Sequence, residues 1–251
     1  MGKIKALVKR LPIVVTVRSE VKMVKWLFVL GLSVHMTALQ GEYQAKDFSS
    51  LLGKTPGLSA ELVSMHLKLY QGYVRNANAL IDQIAGLRQS GEDRTLTYGA
   101  LERRLAWEMN GMMLHELYFG NLGVKPPLKQ QDGLYQQIVR DFGSFARWQQ
   151  NFIATGMIRG IGWVVLYGDP LQKRLYNLWI DDHNINVLAG GVPLLVMDVW
   201  EHAYLTEYGL NRARYLAAFF RNVNWSVVKE RWSAFTRKDH FVDKHALTRQ
   251  P

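Results

Sequence analysis

Two stretches of helical periodicity, separated by a short polar loop, constrain this chain more than any other feature. Across 58–84, Leu62, His66, Leu69, Tyr73, Ala77 and Leu80 recur at steps of three and four and form one stripe. Ser59 is the predicted N-cap, with Glu61 in the first turn. The sequence RQSGED at 88–93 reads as a loop. A second helix is predicted over about 98–119, with Leu101, Leu105, Met112, His115 and Phe119 or Leu122 facing inward. Gly120, Gly123 and the pair Pro126–Pro127 stop it. Each helix carries a histidine among apolar neighbours, and the short loop implies that the two pack as a hairpin.

After Pro127 the texture changes. Helices are predicted over about 131–141 and 144–153, then strands over 162–167 and 174–180 around the turn Gly168-Asp169-Pro170. A third strand-like run covers 194–197, and helices follow over about 212–222 and from about Trp225. This order predicts an α+β chain. An N-terminal two-helix antiparallel hairpin domain spans 41–127. A C-terminal domain over 128–237 has a three-stranded antiparallel sheet and surrounding helices, and a charged tail covers 238–251. With 251 residues and 48% hydrophobic composition, there is material for a large core.

The first 40 residues stand apart. Seven basic residues against Glu20 precede a short apolar run at 26–33. The run is too short to span a bilayer. It resembles an export signal, which would place the protein in the periplasm or outside the cell; the duller reading is a disordered extension or an upstream start codon with Met23 or a later position as the true beginning, and a cytoplasmic location is favoured. The net charge of +10 suits a small anionic substrate, whereas no dense basic stripe for nucleic acid appears beyond this head. The chain has no cysteine, which excludes thiolate metal sites, disulfides and a catalytic thiol.

Of seven histidines, His35 lies in the head and His240 and His245 in the tail. The remaining four are His66, His115, His183 and His202. A lone histidine on an apolar stripe is usually a satisfied core residue. Two on paired helices, together with Asp198 and His202 in the stretch VMDVWEHAY at 196–204, point to a shared metal ion. Asp198 and His202 share a side if helical geometry begins there. Three nitrogens and one oxygen leave a position open for solvent or substrate. Zinc suits these ligands as well, so spacing does not name the metal.

The chain resembles the iron/manganese superoxide dismutases. DVWEHAY at 198–204 is similar to that family's most specific signature, HLKLYQGYVRNAN at 66–78 to the first-ligand segment, and LHELYFGNL at 114–122 to the second-ligand segment. GSFARW at 143–148, GIGWVVL at 160–166 and NVNW at 222–225 support the likeness, which covers about 45–235. The resemblance implies His66, His115, Asp198 and His202 as ligands of one iron or manganese ion per subunit, iron slightly favoured. A solvent molecule completes the site. The ion alternates between its two- and three-plus states, converting two superoxide anions to dioxygen and hydrogen peroxide. Tyr73 matches the gateway tyrosine, and Tyr118, Trp163 and Trp200 match aromatic residues around the metal.

The likeness also marks departures. The family commonly contacts the bound solvent with a glutamine, placed four residues before the second histidine or in the loop before the Asp ligand. Here those places hold Gly111 and His183, so His183 is the expected donor to the solvent; a loop histidine touching Asp181 or Asp182 is the plainer reading. Met113 replaces a tryptophan of the wall. Glu201 matches a residue that reaches across a homodimer interface. Leu69 and Leu205 stand where that interface pairs a histidine with a tyrosine, and Tyr70 is a partial substitute for the former. Two rivals remain: a non-catalytic, for example zinc-loaded, relative, and a binding protein whose basic head attaches it to a membrane surface or nucleic acid.

Overall fold

The computed structural model describes residues 41–237. The expectations for the basic head, the tail, His35, His240 and His245 lie outside the described residues.

Helix α1, Ala60–Gln89, begins as its sequence predicts: the Ser59 hydroxyl accepts from the Leu62 N–H at 3.1 Å, satisfying one orphan donor of the first turn. It runs two residues further than the polar RQSGED suggests. Arg88 remains helical because its guanidinium holds Glu102 and the Tyr98 hydroxyl of the next helix. Its inner face differs from the expected stripe at one place. Tyr70 is buried where Leu69 was expected, and Leu69 is half-buried. The 3.6-residue period puts position 70, four after His66, on the same side, and the phenol reaches the Glu116 carboxylate at 3.0 Å.

Helix α2, Leu96–Gly120, returns against α1 and is capped by Thr95, whose hydroxyl accepts from the Tyr98 N–H at 3.1 Å. Asn121 follows it, fully buried. Its amide accepts from Val196 N at 2.9 Å and donates to Val196 O at 3.2 Å, which ties the end of the hairpin to a strand of the sheet.

Helices α3, Gly133–Phe142, and α4, Phe145–Gly156, lead into strands β1, Gly162–Asp169, β2, Arg174–Asp181, and β3, Val192–Asp198. The sheet is antiparallel with order β2-β1-β3. The central strand β1 is buried through nearly its whole length, so it reads as a continuous apolar run without alternation. Gly162 opens it at φ 153°, where an added Cβ would lie 2.0 Å from the Ile180 carbonyl; only glycine lets the two strands close. The register sets Trp163 of β1 opposite Asp198 of β3.

The chain then makes a short 3-10 turn, Glu201–Ala203, and continues through helices α5, Leu205–Tyr208, α6, Arg212–Arg221, and α7, Trp225–Arg237. One apolar cluster joins the hairpin, the sheet and the helices α4, α6 and α7. Among the described residues no helix is long and apolar enough to cross a membrane.

Candidate metal centre

Four side chains from three separated parts of the chain meet at one point. His66 comes from α1, His115 from α2, Asp198 from the end of β3 and His202 from the 3-10 turn. Their ligand atoms all lie within 4.8 Å of one another. The expected helical turn between Asp198 and His202 is absent: Asp198 is the last residue of a strand, and the turn brings His202 back beside it. Asp198 Oδ2 lies 3.1 Å from His66 Nε2, 3.1 Å from His202 Nε2 and 3.6 Å from His115 Nε2.

Hydrogen bonding alone does not account for this arrangement. His115 Nδ1 donates its proton to the Gly111 carbonyl at 2.6 Å, so Nε2 of the neutral ring carries a bare lone pair. That nitrogen is buried, has no hydrogen-bond partner, and faces a carboxylate oxygen. Two lone pairs turned toward each other in a dry pocket are repulsive unless a cation lies between them. Three imidazoles and one carboxylate form a donor set suited to a divalent first-row metal, so the residues fit one.

The surroundings fix each ligand. Trp200 N–H donates to Asp198 Oδ1 at 2.8 Å, which leaves Oδ2 for the histidines. The Asp198 carbonyl accepts from Tyr215 at 2.7 Å, and Tyr215 in turn meets the Tyr118 hydroxyl at 3.2 Å. Burial alone would raise the Asp198 carboxyl; the His202 and His66 imidazoles beside it outweigh burial and hold it below the ordinary carboxylate range. Burial lowers His66, and burial with the His66 ring beside it lowers His115 further, so these two rings are held neutral.

His183, which the plainer reading placed against Asp181 or Asp182, is fully buried against aromatic rings. Trp163 Nε1–H donates to its Nδ1 at 3.0 Å. An indole N–H can only donate, so the neutral His183 carries its proton on Nε2, which lies 2.8 Å from the Tyr73 hydroxyl. Burial lowers His183 to about 4, and burial followed by the Asp198 and Glu108 charges raises Tyr73. Trp200 stacks on His183 with ring centroids 4.7 Å apart.

The wall has one member that sequence reasoning missed. Trp107 packs 4.4 Å from the His183 ring and 5.6 Å from the Tyr73 ring, centroid to centroid. Its signal was the spacing: Trp107, Gly111 and His115 recur every four residues along one face of α2. Gly111 leaves a slot on that face, and the Tyr73 ring fills it; an added Cβ would lie 2.7 Å from the ring. Met113, expected as part of the wall, is instead 44% exposed. Tyr70 is buried, and its hydroxyl donates to Glu116 and accepts from the Lys46 N–H inside the same chain.

At the rim, Arg104 grips the buried Glu108 through Nε and Nη2, at 2.8 and 2.5 Å from Oε1, and lies over the Trp107 ring at 4.0 Å. His202, Trp107 and Trp200 are the partly exposed members of the site, while Glu201 beside them is exposed.

Comparison with known proteins gives the same picture. Residues 51–123 match the model of the α-hairpin domain of iron/manganese superoxide dismutases, and residues 130–231 match the model of their C-terminal domain. The chain is 38% identical over 199 residues to an iron superoxide dismutase of Cupriavidus metallidurans, covering 78% of this chain and 98% of that one. It is 34% identical over 194 residues to a superoxide dismutase of Propionibacterium freudenreichii named for manganese and iron, covering 74% and 92%. It is 32% identical over 195 residues to a manganese superoxide dismutase of Haloferax volcanii, covering 77% and 92%. Matched along both of its halves by these models and by relatives over most of its length, the chain belongs to the iron/manganese superoxide dismutase family.

Proposed function

We propose that the protein is a superoxide dismutase, turning two superoxide anions and two protons into dioxygen and hydrogen peroxide. The observation that carries this reading is the unpartnered lone pair of His115 Nε2, converging with His66, His202 and Asp198 on one point. These four residues would hold one iron or manganese ion, which when bound supplies the one-electron chemistry. Iron is favoured, supported by the iron-named relatives from Cupriavidus metallidurans and Pyrobaculum aerophilum.

The chain's own residues supply position and protons. The His183 proton on Nε2 is directed to Tyr73 Oη, so His183 acts on the site through Tyr73. Tyr73 is then free to turn its own proton toward the cage, where the reduced product needs one. Trp163 and Trp200 hold His183 from two sides and exclude water. The exposed Glu201 is suited to contact a second subunit of a homodimer, with Leu205 at 40% exposure beside it. A division of the chain into domains at 127–128 is supported by the two family models, which end at 123 and begin at 130.

Reconstitution separately with iron, manganese and zinc, followed by metal analysis and a superoxide decay assay, tests the function. Turnover with iron or manganese is the expected result. Bound zinc with no turnover after iron or manganese loading would instead identify a non-catalytic relative.

A further inference from the structure

We propose that Arg104 is an anion-capturing residue at the rim of the metal centre, a fixed cation that gathers superoxide, and small monoanions like it, on the Trp107 side of the site. This rests on the dismutase reading for its substrate but on separate residues for its geometry.

Glu108 is buried, with 2% of its side chain exposed, whereas Arg104 is 53% exposed. The ion pair is therefore a dipole with its negative end inside the protein and its positive end in solvent. An anion approaching from outside meets the cation first, and the carboxylate lies behind it. The guanidinium is held from two sides. Nε and Nη2 are both taken by Glu108 Oε1, and its central carbon lies over the Trp107 indole, 4.0 Å from the ring centroid. Neither of these bonds uses Nη1, which leaves donors on the outer edge. Trp107 is the next ring inward, and it touches both His183 and Tyr73. The path from Arg104 to the proton-bearing pair of the site is thus one indole wide. Arg104 also acts electrostatically on both Tyr73 and His183. A charge at this range works within the Debye length of about 10 Å at 0.1 M salt, so its effect must fade as salt is added.

The test uses the full-length, metal-loaded protein and reads kcat/KM for superoxide against ionic strength. Arg104→Gln is expected to lower kcat/KM about threefold at low ionic strength, with the difference closing at high salt. Arg104→Lys, which keeps the charge, should recover most of it. Glu108→Gln should move the other way and raise kcat/KM at low salt, because the cation is then uncompensated. A second readout needs neither metal nor turnover: in metal-free protein, the ratio of iodide to acrylamide quenching of tryptophan fluorescence should fall in Arg104→Gln. A wild-type rate and salt slope in Arg104→Gln, an unchanged quenching ratio, or a parallel loss in Glu108→Gln would each overturn the proposal, the last because a shared packing role explains it. If the wild-type protein shows no turnover, the dismutase reading fails, and the quenching ratio still decides whether Arg104 gathers anions.

Discussion

The ligand cage and the wall above it are made in different ways. All four cage residues expected from the sequence meet at one point. The wall departs from expectation: Met113 is exposed, and Trp107 closes the site beside His183. The cage is held to its residues by coordination chemistry, because only an imidazole nitrogen or a carboxylate oxygen in the right place serves. The wall is held only to a total of volume, polarity and donated protons. The absence of a side chain at Gly111 leaves room for the Tyr73 ring, and the pair Trp163–His183 supplies the donor on the far side. A wall of this kind can be exchanged piece by piece, provided each change is met by a neighbour.

Loss of a cage member should have the largest effect. His115→Ala is expected to lower metal affinity by at least about 100-fold and abolish dismutation, read by metal analysis and superoxide decay. Full metal occupancy in that variant would erase the distinction between cage and wall.

Acid comes next. His183 has a folded pKa of about 4, below its usual 6.5, so on acidification the unfolded chain takes up this proton first. Its share of stability is complete above pH 6.5 and is lost as pH falls toward 4, at up to ~1.4 kcal/mol per pH unit and roughly 3 kcal/mol in all. His66 and His115 shift in the same direction, so the informative quantity is a difference. The stability of His183→Gln, measured by denaturant unfolding, should fall less steeply over this window than that of the wild type. Equal slopes would mean that His183 is not held neutral by its burial.

Gly111→Ala should cost ~1–3 kcal/mol by forcing the Tyr73 ring aside, while leaving metal content intact. Thermal unfolding and metal analysis of one preparation separate the two quantities. The smallest change is expected from His183→Ala, which should keep its metal but shift the midpoint potential. An unchanged potential and rate would make the wall mere packing.

The same contrast explains what the sequence could reveal. The hairpin was legible because His66 and Tyr73 lie on a clean periodic stripe and because Ser59 is an unambiguous cap. The three strands were legible from short apolar and aromatic runs between turn residues. The Leu69–Tyr70 exchange was not, since a stripe drawn by hydrophobicity alone ignores a phenol that needs a partner such as Glu116. The 3-10 turn after Asp198 was missed because two ligands four apart suit a helix equally well. Trp107 was missed for a related reason: its role depends on the absence of a side chain at Gly111, and an absence carries no hydropathy signal.

The burial of the ligands has one more consequence. His66, His115 and Asp198 are almost wholly shielded, and they belong to a helical hairpin on one side and a sheet on the other. An ion seated among them would meet solvent only on the side of His202, the one partly exposed ligand. Exchange of that ion would therefore quicken under any condition that loosens the hairpin from the sheet, and slow under any that holds the two together.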